Sequence, residues 1–180
     1  MISTLESLMY EVSNTFLVPV LLLIIVLFLY SIFEIGVFLA QYYKRNNTKE
    51  NYKTYLHSKI ENKISGYPVL NYLIEEGFKS CEDLEVYAHK KLQTSSIVTR
   101  ITPMLGLVAT MIPMGPALKA LSNGNIQGIS ENLIIAFAAV IFALVTASIT
   151  YWITTVRRGW YAHEIKDILE LSKVKNEITS

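Results

Sequence analysis

Two carboxylates and several hydroxyls lie inside or at the ends of long apolar stretches of this chain, and they are the groups that could carry chemistry. Glu34 interrupts the apolar residues that begin at position 16 and precedes Lys44 by ten residues. A carboxylate at that depth in a membrane is costly unless it is protonated, paired, or facing a protein or water-filled interior. Glu34 is therefore interpreted as a proton-handling or ion-pairing site, or else as a structural hydrogen-bond partner of a neighbouring subunit.

Glu131 begins the third apolar stretch of the chain. The positive end of a helix dipole favours a negative charge in its first turn, and this electrostatic role alone would account for the residue. The alternative interpretation is a carboxylate at the mouth of an ion pathway.

Small and hydroxyl side chains recur at spacings of three and four in the second and third apolar stretches, which puts each set on one helix face. In the second stretch the set is Thr99, Thr102, Gly106, Thr110 and Pro113. In the third it is Ala136, Ala139, Ala143, Thr146, Thr150 and Thr154. Small residues let membrane helices approach closely, and hydroxyls can bond across helices. The two faces either serve packing alone or line a common lumen along which protons or water pass.

The elements that must position these groups are three membrane spans. Residues 16–33 contain no charge and, at about 1.5 Å per helical residue, can cross a hydrocarbon core of about 30 Å. We predict spans over residues 16–43, 99–121 and 131–156. The second span includes three prolines, which membrane helices tolerate where neighbouring helices meet the freed backbone groups. The fold class predicted is an all-α integral membrane protein.

Basic residues set the predicted orientation. Ten of the 16 Lys and Arg residues lie within residues 44–100, five follow residue 156, and Lys119 is the other. By the positive-inside tendency, the N-terminus and the 122–130 turn lie outside, while the 44–98 region and the 157–180 tail are cytoplasmic. Both cytoplasmic segments have apolar residues at helical spacing and are predicted to extend the membrane helices. Ser80 with Asp83 resembles a helix N-cap box that starts a helix running into the second span.

The first fifteen residues carry an apolar stripe that would suit a short amphipathic helix in the outer interface. The stripe consists of Ile2, Leu5, Leu8, Met9 and Val12. A frayed terminus is the alternative interpretation.

Composition excludes several function classes. The net charge of +1 gives no reason to expect a nucleic-acid partner, and one cysteine with three scattered histidines predicts no metal site. No nucleophile, base and orienting group occur together, so we expect no catalytic residues, no cofactor and no enzyme activity. The lipid bilayer is the expected environment.

Two segments resemble the MotA/TolQ/ExbB proton-channel family. The sequence TPMLGLVAT at 102–110 is similar to the family's (T/A)P-x-(L/I)-G-L-x-(G/A)-T opening of the second span. The sequence GISENL at 128–133 is similar to the Gly-Ile-Ala-Glu-Ala-Leu entry of its third span. The three-span layout, the outside N-terminus and the large cytoplasmic loop also match. The resemblance covers nearly the whole chain in architecture and about residues 102–155 in motif.

The resemblance implies a homo-oligomer, a pentamer in this family, around single-span ExbD/TolR-like partner helices in the cell (inner) membrane. In the family an Asp on those partners takes up and releases protons under the proton-motive force. Residue by residue, Thr110 falls on the second-span pore threonine and Glu131 on the third-span glutamate. The family's third-span threonine falls on Ala136, or on Val140 in a second register, so an apolar side chain replaces a hydroxyl. Thr146 or Thr150 would then substitute one or more turns away.

The function expected from these residues is therefore a subunit of a proton-driven motor complex that couples ion flow to mechanical work. Thr110, Glu131, Thr102, Thr146, Thr150 and Glu34 are the predicted proton-pathway or pore residues. Gly106, Ala136, Ala139 and Ala143 are the predicted helix-packing residues. A non-conducting oligomeric scaffold that anchors a partner protein is the alternative. A small-solute transporter is disfavoured because three spans show no internal inverted repeat.

Overall fold

The computed structural model of the chain describes the backbone of residues 2–58, 63–77 and 80–179. Side chains are described over the same ranges except at 2–7, 9–10, 13–14, 53, 55–58 and 172–179. Three of the five residues of the predicted N-terminal stripe, Ile2, Leu5 and Met9, are outside the set of described side chains. Every regular element in the described ranges is an α-helix, and the elements are α1 (Ile2–Asn47), α2 (Lys49–Ser58), α3 (Pro68–Glu76), α4 (Cys81–Ser122) and α5 (Ile126–Thr179).

Three of these helices are long and apolar enough to cross a membrane. The helical segments concerned are Thr15–Asn47, Cys81–Ser122 and Ile126–Leu171, of 33, 42 and 46 residues. The all-α class and the presence of three membrane-length helices are thus confirmed, and the chain is a multi-pass membrane protein. α1 continues without a break through the boundary that the sequence predicts at residue 15.

Local sequence explains where the long helices begin. α4 starts after Ser80, whose hydroxyl accepts the backbone N–H of Asp83 at 3.1 Å and donates to the Asp83 carboxylate at 2.9 Å, which confirms the predicted cap. α4 ends in a three-residue turn in which Gly124 has φ of 68°. The side chain of Asn125 then accepts the backbone N–H of Gly128 at 3.0 Å and caps α5.

The chain divides into two compact units. The first unit comprises Met1–Phe33 and Ile97–Tyr151, and the second comprises Glu34–Ser96 and Trp152–Ser180. The first unit has a small core of Ile24, Ala109, Ala139 and Ala143. The second unit has a larger core that includes Tyr52, Tyr67, Leu70, Leu84, Leu92, Tyr161 and Ile168.

Candidate functional site

The small-residue faces of α4 and α5 meet in the first unit and form a close helix–helix contact, which we call the α4–α5 seam. Gly106 lies so near α5 that a Cβ added to it would stand 2.7 Å from the Ala143 Cβ. Ala109, Ala139 and Ala143 are buried there. The seam therefore depends on a residue without a side chain at position 106, as membrane helix contacts of this type do.

Three of the predicted pathway hydroxyls point into the protomer. Thr102 is fully buried and donates to the Val98 carbonyl at 2.6 Å. Thr150 accepts a hydrogen bond from the Thr99 hydroxyl at 3.0 Å, which joins α4 to α5. The Thr146 hydroxyl is buried and has no hydrogen-bond partner among the described residues. These hydroxyls form a polar interior to the first unit.

Thr110 differs from these threonines because it lies at the edge of the seam. Its side chain is half-buried, and its hydroxyl donates to the Leu107 carbonyl of its own helix at 2.7 Å. The neighbouring Leu107, Met111 and Met114 are exposed in the protomer. Thr110 therefore presents a hydroxyl at the border between the interior and an uncovered apolar face, in the middle of the predicted second span.

Glu131 is exposed and accepts a hydrogen bond from the Gln127 side chain at 2.9 Å. α5 begins at Ile126, so Glu131 lies in the second helical turn. Helix-dipole stabilisation falls off beyond the first turn, so the dipole is a weaker explanation for Glu131 than the sequence indicates.

Glu34 belongs to the second unit, where it is buried and ion-paired. Its Oε1 accepts hydrogen bonds from the Arg157 guanidinium and, at 3.0 Å, from the Ser95 hydroxyl. Arg157 is the first charged residue after residues 133–156. Glu34 and Arg157 form a buried ion pair, so the geometry matches the ion-pairing interpretation of Glu34.

Glu164 is the most buried carboxylate among the described residues, and sequence reasoning missed it. It accepts hydrogen bonds from Arg45, from the Val69 N–H at 3.0 Å and, more weakly, from the Leu70 N–H at 3.4 Å. These amides are in the first turn of α3, and α3 has no side-chain cap from its own Tyr67. Glu164 of α5 thus supplies the missing N-cap. The available signal was the uncapped Pro68 start, which does not reveal a partner 95 residues away.

Aromatic rings and Arg45 complete this part of the second unit. Tyr52 stacks on Tyr67 with centroids 4.1 Å apart, and the Arg45 guanidinium lies 4.3 Å from the Tyr67 ring centroid. Tyr52 also donates to the Asp167 carboxylate at 2.7 Å. Burial, followed by this hydrogen bond, raises the pKa of Tyr52 far above its ordinary value. Burial also raises the pKa of Tyr67, and the Arg45 charge opposes that rise. Burial also raises the pKa of Glu164, and the Arg45 charge opposes that rise.

Metal binding finds no support in the parts of the chain that the structure describes, where no group of three or more His, Cys, Asp or Glu side chains could hold an ion. No family model, curated protein or solved structure matches the chain. The resemblance to the MotA/TolQ/ExbB family accordingly remains a hypothesis drawn from the motifs.

Proposed function

We propose that this protein is the ring-forming subunit of a proton-driven membrane motor of the MotA/TolQ/ExbB type. Several copies surround one or more single-span partner helices, and ion flow at the ring's inner face does mechanical work on the partner. In the proposed orientation in the cell membrane, the N-terminus is outside, and the 44–98 region and the 157–180 tail are cytoplasmic, as the distribution of Lys and Arg favours.

The observation that carries the proposal is the position of Thr110. Thr110 belongs to the 102–110 motif, which also contains Gly106. The close approach of Gly106 to Ala143 holds α4 against α5. Thr110 is next to this rigid seam, half-buried and flanked by the exposed Leu107 and Met111. The Thr110 hydroxyl is therefore accessible to a partner helix that packs on the exposed face formed by Leu107 and Met111. The family role of the matching threonine, lining the pore, agrees with that arrangement.

The energy available is sufficient for such a machine. One elementary charge crossing a potential of 100 mV releases about 2.3 kcal/mol. That amount exceeds the net value of a typical hydrogen bond, about 1 kcal/mol, so each proton can break and remake contacts along the ring.

A non-conducting scaffold remains the second candidate, and one observation favours it. The residues matched to the family's third-span threonine are apolar, and Ala136 is buried against its own protomer. The substitutes proposed for it, Thr146 and Thr150, are also buried inside the protomer. A ring built with these interior hydroxyls would anchor a partner without carrying ions.

The test is proton flux into lipid vesicles that contain the protein together with the single-span protein that copurifies with it. A potassium diffusion potential drives the flux, and a trapped pH dye reports it. Thr110→Val is expected to lower the flux about tenfold, equivalent to about 1.4 kcal/mol of barrier. Thr94→Val is the matched control, because Thr94 is an exposed residue of α4 before the second span.

Two outcomes would overturn parts of this proposal. Flux that survives both Thr110→Val and Glu131→Gln unchanged would refute the pathway assignments. The absence of flux at every pH and potential, in vesicles where the two proteins remain associated, would refute conduction and support the scaffold.

A further inference from the structure

Four polar side chains of the second unit are buried, and we call them the Glu34 cluster. Its members are Glu34, Ser95, Thr154 and Arg157, with relative exposures of 6%, 4%, 9% and 7%. They come from α1, α4 and α5, the three membrane-length helices. Polar groups removed from water to this degree are stable only when their hydrogen bonds are met.

The hydrogen bonds of the Glu34 cluster are incompletely met by protein atoms. Glu34 Oε1 accepts from Arg157 Nη1 and from the Ser95 hydroxyl. The Arg157 Nε and the Thr154 Oγ1, both buried, have no hydrogen-bond partner among the described residues. The cluster thus contains one buried N–H donor and one buried hydroxyl that require a ligand.

Helix geometry puts the residues that carry these two atoms on one face of α5. Thr154 and Arg157 are three residues apart on α5, so their Cβ atoms are about 5–6 Å apart on one helix face. Helical side chains lean toward the N-terminus, so the Arg157 stem extends over the turn that carries Thr154. The two groups make no direct hydrogen bond with each other.

The chemistry of the cluster selects a neutral ligand. Arg157 Nε can only donate, whereas the Thr154 hydroxyl can donate or accept, so the shared ligand must contain an acceptor atom. An anion would be repelled by the Glu34 carboxylate, and a cation by the Arg157 guanidinium, because both charges are buried nearby. Water is neutral, small, and both donor and acceptor, and it commonly bridges buried polar groups of this kind.

We propose that the Glu34 cluster is a binding site for one ordered water molecule. The water accepts the Arg157 Nε–H and exchanges a hydrogen bond with the Thr154 hydroxyl, so that both of these buried atoms gain a partner. The Glu34–Arg157 ion pair is thereby a hydrated junction of three helices. This inference concerns the protomer and does not depend on ion conduction.

The direct test is an experimental structure of the full-length protein in lipid or detergent, at a resolution that orders internal water. The expected result is a density peak within about 2.7–3.2 Å of both Arg157 Nε and Thr154 Oγ1. Thr154→Val should abolish the peak, whereas Thr154→Ser, which keeps the hydroxyl, should retain it. A well-ordered cluster with no peak in the native protein, or a direct Nε–Oγ1 bond, would overturn the proposal.

Nuclear magnetic resonance gives an independent readout on the native protein and does not require the valine variant to fold. The Nε–H resonance of Arg157 is identified by its disappearance in Arg157→Lys. A dipolar cross-peak from this proton to water, with the sign of a long-lived complex rather than of chemical exchange, is expected. The absence of this cross-peak from the native protein would contradict the proposal.

Discussion

The α4–α5 seam leads to a sharp prediction about Gly106. In Gly106→Ala the new Cβ would meet the Ala143 Cβ at 2.7 Å, a distance that real Cβ atoms essentially never show. Neither group is the end of a flexible side chain, so the two helices themselves must move apart. We therefore expect this smallest possible substitution to destabilise the first unit.

The expected magnitude follows from two opposing terms. Replacing a glycine by alanine inside a helix ordinarily stabilises it by about 0.5–1 kcal/mol. Overpacking a close contact costs about 1–3 kcal/mol. The chain contains internal controls, because an added Cβ at Gly36 or Gly159 meets nothing within 4 Å. Gly106→Ala should therefore be less stable than Gly159→Ala by about 1–3 kcal/mol, the overpacking term alone.

A compensating substitution makes the reasoning specific. In Gly106→Ala/Ala143→Gly the offending Cβ is removed, and the next atoms near position 106 belong to Val140 at 3.8 Å, an ordinary contact distance. The double variant should recover about 1–3 kcal/mol relative to the sum of the two single variants. Unfolding in detergent micelles, followed by circular dichroism, measures the free energy of unfolding of the native protein, of each single variant and of the double variant.

Two results would refute this account of the seam. One is equal stability changes for Gly106→Ala and Gly159→Ala. The other is additivity of the Gly106 and Ala143 substitutions, because a direct contact between the two positions requires coupling.

The second unit and the α4 cap give three further predictions. Ser80→Ala should lower the free energy of unfolding by about 0.5–2 kcal/mol, measured by thermal unfolding, because an N-cap is lost; no change would refute the cap. Glu164→Gln keeps an acceptor for α3 but leaves Arg45 without its buried counter-charge. The free energy of unfolding should therefore fall by about 3–5 kcal/mol in denaturant titration. A change below about 1 kcal/mol would contradict the ion pair. The pKa of Tyr52 is raised in the folded chain. Tyr52 therefore contributes its full stabilisation at pH values below 10.0, its ordinary pKa, and this contribution falls as the pH rises above 10.0. Tyr52→Phe should therefore flatten the loss of stability between about pH 9 and 11, and an unchanged pH profile would argue against it.

Features that depend on neighbours along the chain could be predicted from the sequence. The Ser80 cap needs only the residue three positions later, and the long helices follow from apolar composition. Spacings of three and four identified the face of α4 that carries Gly106. The spacing of residues does not reveal which residues a helix face contacts. The approach of Gly106 to Ala143 could therefore be seen only in the structure.

Features that depend on distant partners could not be predicted. Glu34 stood out as a charge among apolar residues, but its partner Arg157 is 123 residues away in sequence. The residue type and spacing of Glu164 gave no signal of their own, since a charged residue on an amphipathic tail is usually solvated. Glu164 is buried where it accepts the backbone N–H groups at the start of α3, which have no cap from Tyr67.

The central claim is that copies of this chain form a ring in which Thr110 faces a partner helix. The most direct measurement is the mass and structure of the complex purified with its single-span partner from native membranes. The account predicts a closed ring of identical subunits, with a partner helix in the bore and Thr110 of each copy along it. A complex whose partner binds at the periphery, or whose Thr110 side chains face lipid, would contradict the account.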